Sequence, residues 1–192
     1  FVTGVLCRTI RPFYEDIESA VKRIYGEECE DVEVPSLLHF GSWVGGDMDG
    51  NPNVSAKTIR ETRARQRSLI LDLYYKECAS IGAKLSQSVD RASFGQSMLD
   101  KIDEYRGVFP NAYHAVPARH RDMPYRVFLR LVQQRLQNTF DDDMLPYEKV
   151  GQLIDDIQLI ADSLAENNGE QAGLFSVRRL LRRINTFGFH MV

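Results

Sequence analysis

Apolar residues recur every three or four positions along most of this chain, and this spacing limits what the chain can fold into. Because an α-helix turns once in about 3.6 residues, apolar residues at this spacing lie on one face of a helix. The clearest stripe belongs to a helix predicted from a cap at Ser55 to about Gln87. Its members are Ile70, Tyr74, Cys78, Ile81 and Leu85. The chain is therefore predicted to be mostly α-helical.

The same period predicts five further helices. They are a first helix with Phe13, Ile17, Val21 and Ile24 that ends at Gly26, a short helix over 95–106, a helix that begins at Pro124, one from Pro146 to Asn168-Gly169, and a last helix with Val177, Leu180, Leu181 and Ile184 facing inward. Proline suits the first turn of a helix, because the N–H that it lacks would have no partner there. The stretch 107–122 contains two prolines and no clear period, so it is predicted to be a loop.

Two segments favour β-strands, at 36–44 and at 189–192. Two strands separated by long helical segments do not form a sheet by themselves, but they fit successive strands of a larger barrel. The predicted fold class is a mostly α-helical segment with one or two strands that belong to a larger α/β barrel of the TIM type. Since Phe1 is not an initiator methionine and the second strand is cut short, the chain is predicted to be an internal fragment.

Charge and cysteine content narrow the classes of function. Twenty-four basic and 27 acidic residues give a net charge of -3, which provides no general field for nucleic acid. Three cysteines without a recognisable spacing favour free thiols in a reducing compartment, and hence the cytoplasm. No apolar run approaches the roughly 20 residues that cross a bilayer. Neither a nucleic-acid nor a membrane partner is predicted.

Residues 40–54 read FGSWVGGDMDGNPNV and contain four glycines and the only tryptophan of the chain. One interpretation is a turn between a strand and a helix, since such glycine and asparagine-proline pairs are common turn signals. The other is a loop on the catalytic face of a barrel, where Trp43 forms an apolar wall and Gly45 and Gly46 let the backbone approach a substrate. A calcium loop is disfavoured, because Pro52 stands where its glycine is expected.

This stretch also resembles the Ser-Trp-(Met/Val)-Gly-Gly-Asp-Arg-Asp-Gly-Asn-Pro signature of the phosphoenolpyruvate carboxylase family. PYRVFLRLVQQRL from Pro124 is similar to the Pro-Tyr-Arg helix of that family, and LFSVRRLLRRINTFGFHMV is similar to the segment before its next barrel strand. Order and spacing agree over nearly the whole chain. One departure is Met48, which replaces the arginine that most members have between the two aspartates.

The resemblance implies a lyase that joins phosphoenolpyruvate and bicarbonate, with magnesium or manganese, and releases oxaloacetate and phosphate. Such enzymes assemble as tetramers. Within 1–192, it implies a barrel strand and glycine-rich loop at 36–54, a helical crossover at 55–188 and the start of the next strand at 189–192. The family's Thr-Ala-His-Pro-Thr strand, mobile arginine loop and metal-binding carboxylates have no counterpart here, so no catalytic or metal-binding residue is assigned and the isolated chain is predicted to be inactive.

The resemblance also assigns roles to residues of the signature. Trp43 matches a tryptophan near the methylene end of the substrate, and Gly45 and Gly46 belong to the same pocket. Three polar residues are interpreted as organisers of the loop rather than catalysts. They are Asp47, Asp49 and Asn51.

Arg126 matches the arginine of the Pro-Tyr-Arg helix, which in allosteric members lies near a subunit contact and a sugar-phosphate activator site. Asp122, four residues earlier, is a candidate partner for it. The alternative is a solvated arginine at a helix end. For the chain as a whole, the alternative function is a non-catalytic helical interaction domain on the same scaffold.

Overall fold

The computed structural model describes residues 2–26, 34–41, 43, 51, 53–167 and 169–190, and this part of the chain is mostly helical. The helices are α1 (Cys7–Tyr25), α2 (Ala56–Lys84), α3 (Gln96–Val108), α4 (Pro110–His114), α5 (Pro124–Asp141), α6 (Val150–Glu166) and α7 (Phe175–Phe187). The predicted helical class is thereby confirmed. None of the described helices is long and apolar enough to cross a membrane.

The chain divides into two compact units, one formed by 1–70 with 185–192 and the other by 71–184. In the second unit, α5 packs against α3, α4 and α6. The predicted inner face of α5 is buried throughout. It consists of Tyr125, Phe128, Leu129, Val132 and Leu136. Since each large apolar side chain removed from water contributes about 1.5–3 kcal/mol, α5 supplies much of the stability of this unit.

The apolar stripes of α2 and α7 are buried as predicted. They consist of Ile70, Tyr74, Cys78 and Ile81 in α2 with Leu85 directly after its end, and of Val177, Leu180, Leu181 and Ile184 in α7. The cap of α2 is also confirmed, because Ser55 Oγ accepts a hydrogen bond from the N–H of Thr58 at 3.4 Å and Thr58 Oγ1 accepts one from the N–H of Ser55 at 3.2 Å. These two bonds satisfy donors that a helix N-terminus leaves unpaired.

The buried face of α1 differs from the prediction. Cys7, Ile10 and Tyr14 are buried, whereas Phe13 is 38% and Ile24 is 69% exposed. The sequence carries two overlapping stripes whose mean directions differ by about 60°, which is less than the width of one helix face. Periodicity cannot choose between them, because the choice depends on what packs against the helix.

Two other boundaries also differ. The predicted loop 107–122 contains α4, which begins at Pro110, and a 3-10 turn at Ala118–His120. Helix α6 begins at Val150 rather than at Pro146, and it ends at Glu166. Its start is set by the side chain of Gln152, which returns to the N-terminus and accepts hydrogen bonds from the N–H groups of Glu148 and Lys149. This capping box fixes the start of α6.

The strands predicted at 36–44 and 189–192 are not formed in the described part of these segments. Residues 36–41 and 43 have no regular secondary structure, and 189–190 lie in a turn that follows Gly188, whose φ is 53°. A strand requires a neighbouring strand to pair its backbone groups. The described residues contain no strand that could serve as this partner.

Candidate functional site

A tyrosine of α1 holds the backbone that precedes the glycine-rich stretch. The hydroxyl oxygen of Tyr14 accepts hydrogen bonds from the N–H groups of Leu37, at 2.7 Å, and Leu38, at 3.2 Å. Tyr14 is buried, and its ring meets that of Phe13 edge-on with 5.4 Å between the centroids. Backbone without secondary structure needs such partners, because it lacks the bonds of a helix or sheet. Tyr14 therefore fixes the chain at 37–38.

A ring stack holds the same segment two residues later. The rings of Phe40 and Phe187 lie 5.3 Å apart at an angle of 17°. Phe187 is the last residue of α7 and is buried, as is Phe189 after the turn at Gly188. Offset stacking of this kind adds about 0.5–1.5 kcal/mol to the energy of burial. The segment is therefore fixed at its backbone by α1 and at a side chain by α7.

Trp43 follows three residues after Phe40, and its side chain is 81% exposed. Three residues of chain reach at most about 11 Å, so Trp43 stays near the fixed segment. An indole exposed to this degree offers a large flat apolar surface that a ligand or another part of the protein can cover. The other signature residues Gly45, Gly46, Asp47 and Asp49 lie outside the described residues, as does Met48.

Asn51 stands at the far end of the glycine-rich stretch. Its side-chain Oδ1 accepts a hydrogen bond from the N–H of Asn53 at 3.0 Å, and its carbonyl oxygen accepts one from the N–H of Val54 at 3.1 Å. An asparagine side chain that bonds the backbone two residues later forms an Asx turn. The turn leads directly into the cap of α2 at Ser55, so Asn51 joins the stretch to the helix.

Basic residues lie near the turn that follows α7. Burial and the positive charges of Arg63 and Arg67 lower the pKa of His190. His190 is therefore predominantly neutral at pH 7, where it can accept as well as donate a hydrogen bond.

Arg126, the second predicted site residue, binds the C-terminal end of α2. Its Nε donates to the carbonyl oxygen of Gly82 at 2.8 Å and its Nη2 donates to that of Ala83 at 3.0 Å. The last carbonyl groups of a helix lack partners within the helix and carry partial negative charge, which suits a cation. The solvated arginine of the alternative interpretation is therefore not what the structure contains.

Asp122 is exposed and contributes through its backbone, where its carbonyl oxygen accepts from the N–H of Val89 at 2.9 Å. Among the described residues no ion pair joins Asp122 to Arg126 within this chain, and the pairing across a subunit contact stays a prediction. The planar guanidinium of Arg126 instead reaches two carbonyl groups at once.

A cavity of about 350 Å³ lies beside Arg126 within the second unit. Its walls are mostly apolar and come from α2, α5 and the segment 115–120. The polar groups that line it belong to His120, Arg126, Arg130 and Gln133. Its volume falls within the range of small-molecule sites, and its cationic groups suit an anion.

The family model described as phosphoenolpyruvate carboxylase matches residues 1–192. The chain belongs to the phosphoenolpyruvate carboxylase family. Its resemblance to that family's signature is thereby confirmed.

Curated members of the phosphoenolpyruvate carboxylase family from three bacteria illustrate the similarity. The chain is 45% identical to the Xanthomonas oryzae pv. oryzae protein over 191 residues, which is 100% of this chain and 21% of that protein. It is 32% identical to the Ralstonia nicotianae protein over 203 residues, or 96% and 19%, and 30% identical to the protein of Prochlorococcus marinus subsp. pastoris over 192 residues, or 86% and 19%. The chain thus spans about a fifth of the length of these relatives.

The phosphoenolpyruvate carboxylase family suggests a divalent metal, which a protein holds through a cluster of ligating side chains. Nowhere in the described ranges do three histidine, cysteine, aspartate or glutamate side chains come close enough together to hold a metal ion. The described residues therefore do not fit a metal site.

The family signature does not include a buried polar cluster in the second unit, and the sequence interpretation missed it. Asp156 Oδ2 accepts from the hydroxyl groups of Tyr105, at 2.7 Å, and Tyr147, at 2.5 Å, and lies 3.6 Å from Nη1 of Arg135. Burial raises the pKa of Asp156 and, with the nearby carboxylate, raises those of both tyrosines. The signal was present, because Asp156 interrupts an otherwise apolar helix face that contains Leu153, Ile157 and Ile160.

Proposed function

We propose that the full-length protein joins phosphoenolpyruvate and bicarbonate to give oxaloacetate and phosphate, and that this chain supplies one wall of the substrate pocket. Family membership over all 192 residues supports the reaction class. The observation that supports the wall is the exposed indole of Trp43, held close to a segment that Tyr14 and Phe187 fix in place.

An apolar wall has a clear task in this reaction. The carboxylation passes through an enolate, and an enolate that meets water is protonated to pyruvate and lost. A large indole beside the methylene carbon excludes water from that carbon and leaves carbon dioxide as the available electrophile. Trp43 acts in this proposal by shielding, and no proton or metal is assigned to it.

The remaining residues of the signature support the wall. Gly45 and Gly46 allow the backbone to approach the substrate closely, since they carry no Cβ. Asp47, Asp49 and Asn51 organise the loop, and the Asx turn at Asn51 is in keeping with that role. A magnesium or manganese ion would be held by residues of the full-length protein outside this chain, where it could neutralise charge on the phosphate.

The wider setting belongs to the same proposal. Within the segment 36–54, the residues after the Tyr14 contact at 37–38 form a barrel strand and its loop when the rest of the protein provides neighbouring strands. Residues 55–188 form the helical crossover to a strand that starts at 189–192. The protein works in the cytoplasm as a homotetramer. The cavity beside Arg126 binds an anionic sugar-phosphate activator near a subunit contact that includes Asp122.

Replacing Trp43 tests the proposed wall. Trp43→Ala in the full-length protein should lower kcat/KM for phosphoenolpyruvate roughly 5- to 150-fold, because a large apolar contact is lost from the pocket. This change corresponds to a loss of about 1–3 kcal/mol in transition-state stabilisation. The substitution should also raise the ratio of pyruvate to oxaloacetate. Steady-state kinetics with product analysis measures both quantities.

Ile24→Ala is the matched control, because Ile24 is an exposed apolar residue of the same unit and is 69% exposed. It should leave both quantities unchanged. If Trp43→Ala is folded and behaves like this control, Trp43 has no part in the pocket.

A further inference from the structure

We infer that Tyr14 is a positioning residue for Trp43, which rests on the proposed function of Trp43 as a pocket wall. The two N–H groups that Tyr14 accepts belong to consecutive residues, Leu37 and Leu38. Two donors on one oxygen fix both the position and the direction of the chain at this point. The next fixed point is Phe40, on Phe187.

The residues that hold the segment before Trp43 are buried. Tyr14 is 2% exposed and Val34, at the start of the segment, is 5% exposed, so both are packed in the core of the first unit. Trp43, by contrast, is almost fully exposed. Its position therefore depends on the backbone that leads to it, and that backbone depends on Tyr14 and Phe187.

Positioning of this kind affects rate more than fold. A catalytic group needs to lie within about 0.5 Å of its working position, and a displacement of about 1 Å can cost roughly 100-fold in rate. Tyr14→Phe removes one oxygen and keeps the buried ring, so the core of α1 remains filled. Tyr25→Phe is the matched control, since it is the same chemical change on the same helix at a side chain that is 66% exposed.

The first measurement is hydrogen–deuterium exchange of the full-length protein. Tyr14→Phe should speed exchange in peptides that cover 36–41 by roughly 5- to 10-fold, the loss expected when a hydrogen bond of ordinary strength is removed. Peptides from α1 and from 71–184 should be unchanged, and Tyr25→Phe should match the unsubstituted protein. Unchanged exchange at 36–41 would overturn the inference whatever the activity of the protein.

The second measurement is a double-mutant cycle in kcat/KM for phosphoenolpyruvate. Tyr14→Phe should lower kcat/KM by about 10-fold in the unsubstituted protein, an order-of-magnitude figure for a small misplacement. In the Trp43→Ala background, Tyr14→Phe should lower kcat/KM less than 2-fold, because Tyr14 acts through Trp43. A merely structural role predicts equal losses in both backgrounds, and equal losses or no loss would overturn the inference.

The two measurements separate this inference from the proposed function. If the full-length protein makes no oxaloacetate, the proposed function fails and the role of Tyr14 in catalysis fails with it, even when exchange confirms the anchor. If the protein is active and Trp43→Ala impairs it, but the cycle shows no coupling, only the inference about Tyr14 fails.

Discussion

At the scale of residues, one buried carboxylate joins side chains from several elements of the second unit. Asp156 of α6 accepts hydrogen bonds from Tyr105 of α3 and from Tyr147, and it faces Arg135 of α5. Arg135 also donates to the carbonyl oxygen of Leu145, whose φ of 52° is unusual for a side chain of this kind. The cluster thereby ties three helices and one strained turn together.

Replacing either Asp156 or Arg135 should lower the free energy of unfolding. Asp156→Asn places an amide NH₂ donor among the hydroxyl and guanidinium donors of Tyr105, Tyr147 and Arg135, and we expect it to lower the free energy of unfolding by about 1–3 kcal/mol, the cost of leaving a buried donor without an acceptor. Arg135→Met should have a similar effect. In urea denaturation, the double variant should lose much less free energy of unfolding than the sum of the losses in the two single variants. Additive losses would contradict a shared cluster.

The pH dependence of this effect has a definite sign. Burial raises the pKa of Asp156, so the carboxyl contributes stability that is full below its unfolded pKa of about 3.9 and declines as pH rises through its higher folded pKa. The stability advantage of the unsubstituted protein over Asp156→Asn should therefore shrink as pH rises above about 4. An advantage that grows over this range would contradict the assigned direction.

At the scale of elements, the sequence predicts a helix best when one long stripe decides its face. The buried stripes of α2, α5 and α7 follow from spacing alone. Helix α1 carries two overlapping apolar stripes, and the one that contains Tyr14 is buried. The hydrogen-bond partners of Tyr14, at 37 and 38, lie 23 and 24 residues away in the sequence. Contacts at such separations leave no local pattern in a sequence.

The end of α2 illustrates the same limit. Its C-terminal carbonyl groups at Gly82 and Ala83 bind Arg126, 44 and 43 residues later. The sequence singled out Arg126 through its family motif, yet its contact is visible only in three dimensions. Similarly, the exposed Trp43 could be proposed as a site residue from the signature, whereas its anchors Tyr14 and Phe187 could not.

Removing Arg126 should affect both α2 and the cavity. Arg126→Met loses two hydrogen bonds from a charged donor, and we expect the free energy of unfolding to fall by about 1.5–3 kcal/mol. Binding of a hexose phosphate to the full-length protein, measured by calorimetry, should weaken at least 10-fold, as for the loss of one charged contact. Arg178→Met, at an exposed arginine of α7, is the control and should change neither quantity. Unchanged hexose phosphate binding in folded Arg126→Met would contradict an effector site at this cavity.

At the scale of the whole molecule, the chain is a mostly helical member of the phosphoenolpyruvate carboxylase family that spans about a fifth of the length of its relatives. The irregular segment at 36–41 has no partner strand among the described residues, in keeping with a strand that pairs with elements outside this chain. We therefore expect the wall to operate only within the complete protein. For the same reason, we expect the isolated chain not to complete the proposed reaction.

The most direct test is the formation of oxaloacetate from phosphoenolpyruvate and bicarbonate, followed with purified full-length protein and with the isolated 192-residue chain, each with magnesium. The full-length protein should produce oxaloacetate and phosphate in equal amounts, and the isolated chain should not exceed a blank that contains magnesium alone. A folded full-length protein that forms no oxaloacetate, or turnover by the isolated chain above the blank, would contradict the account.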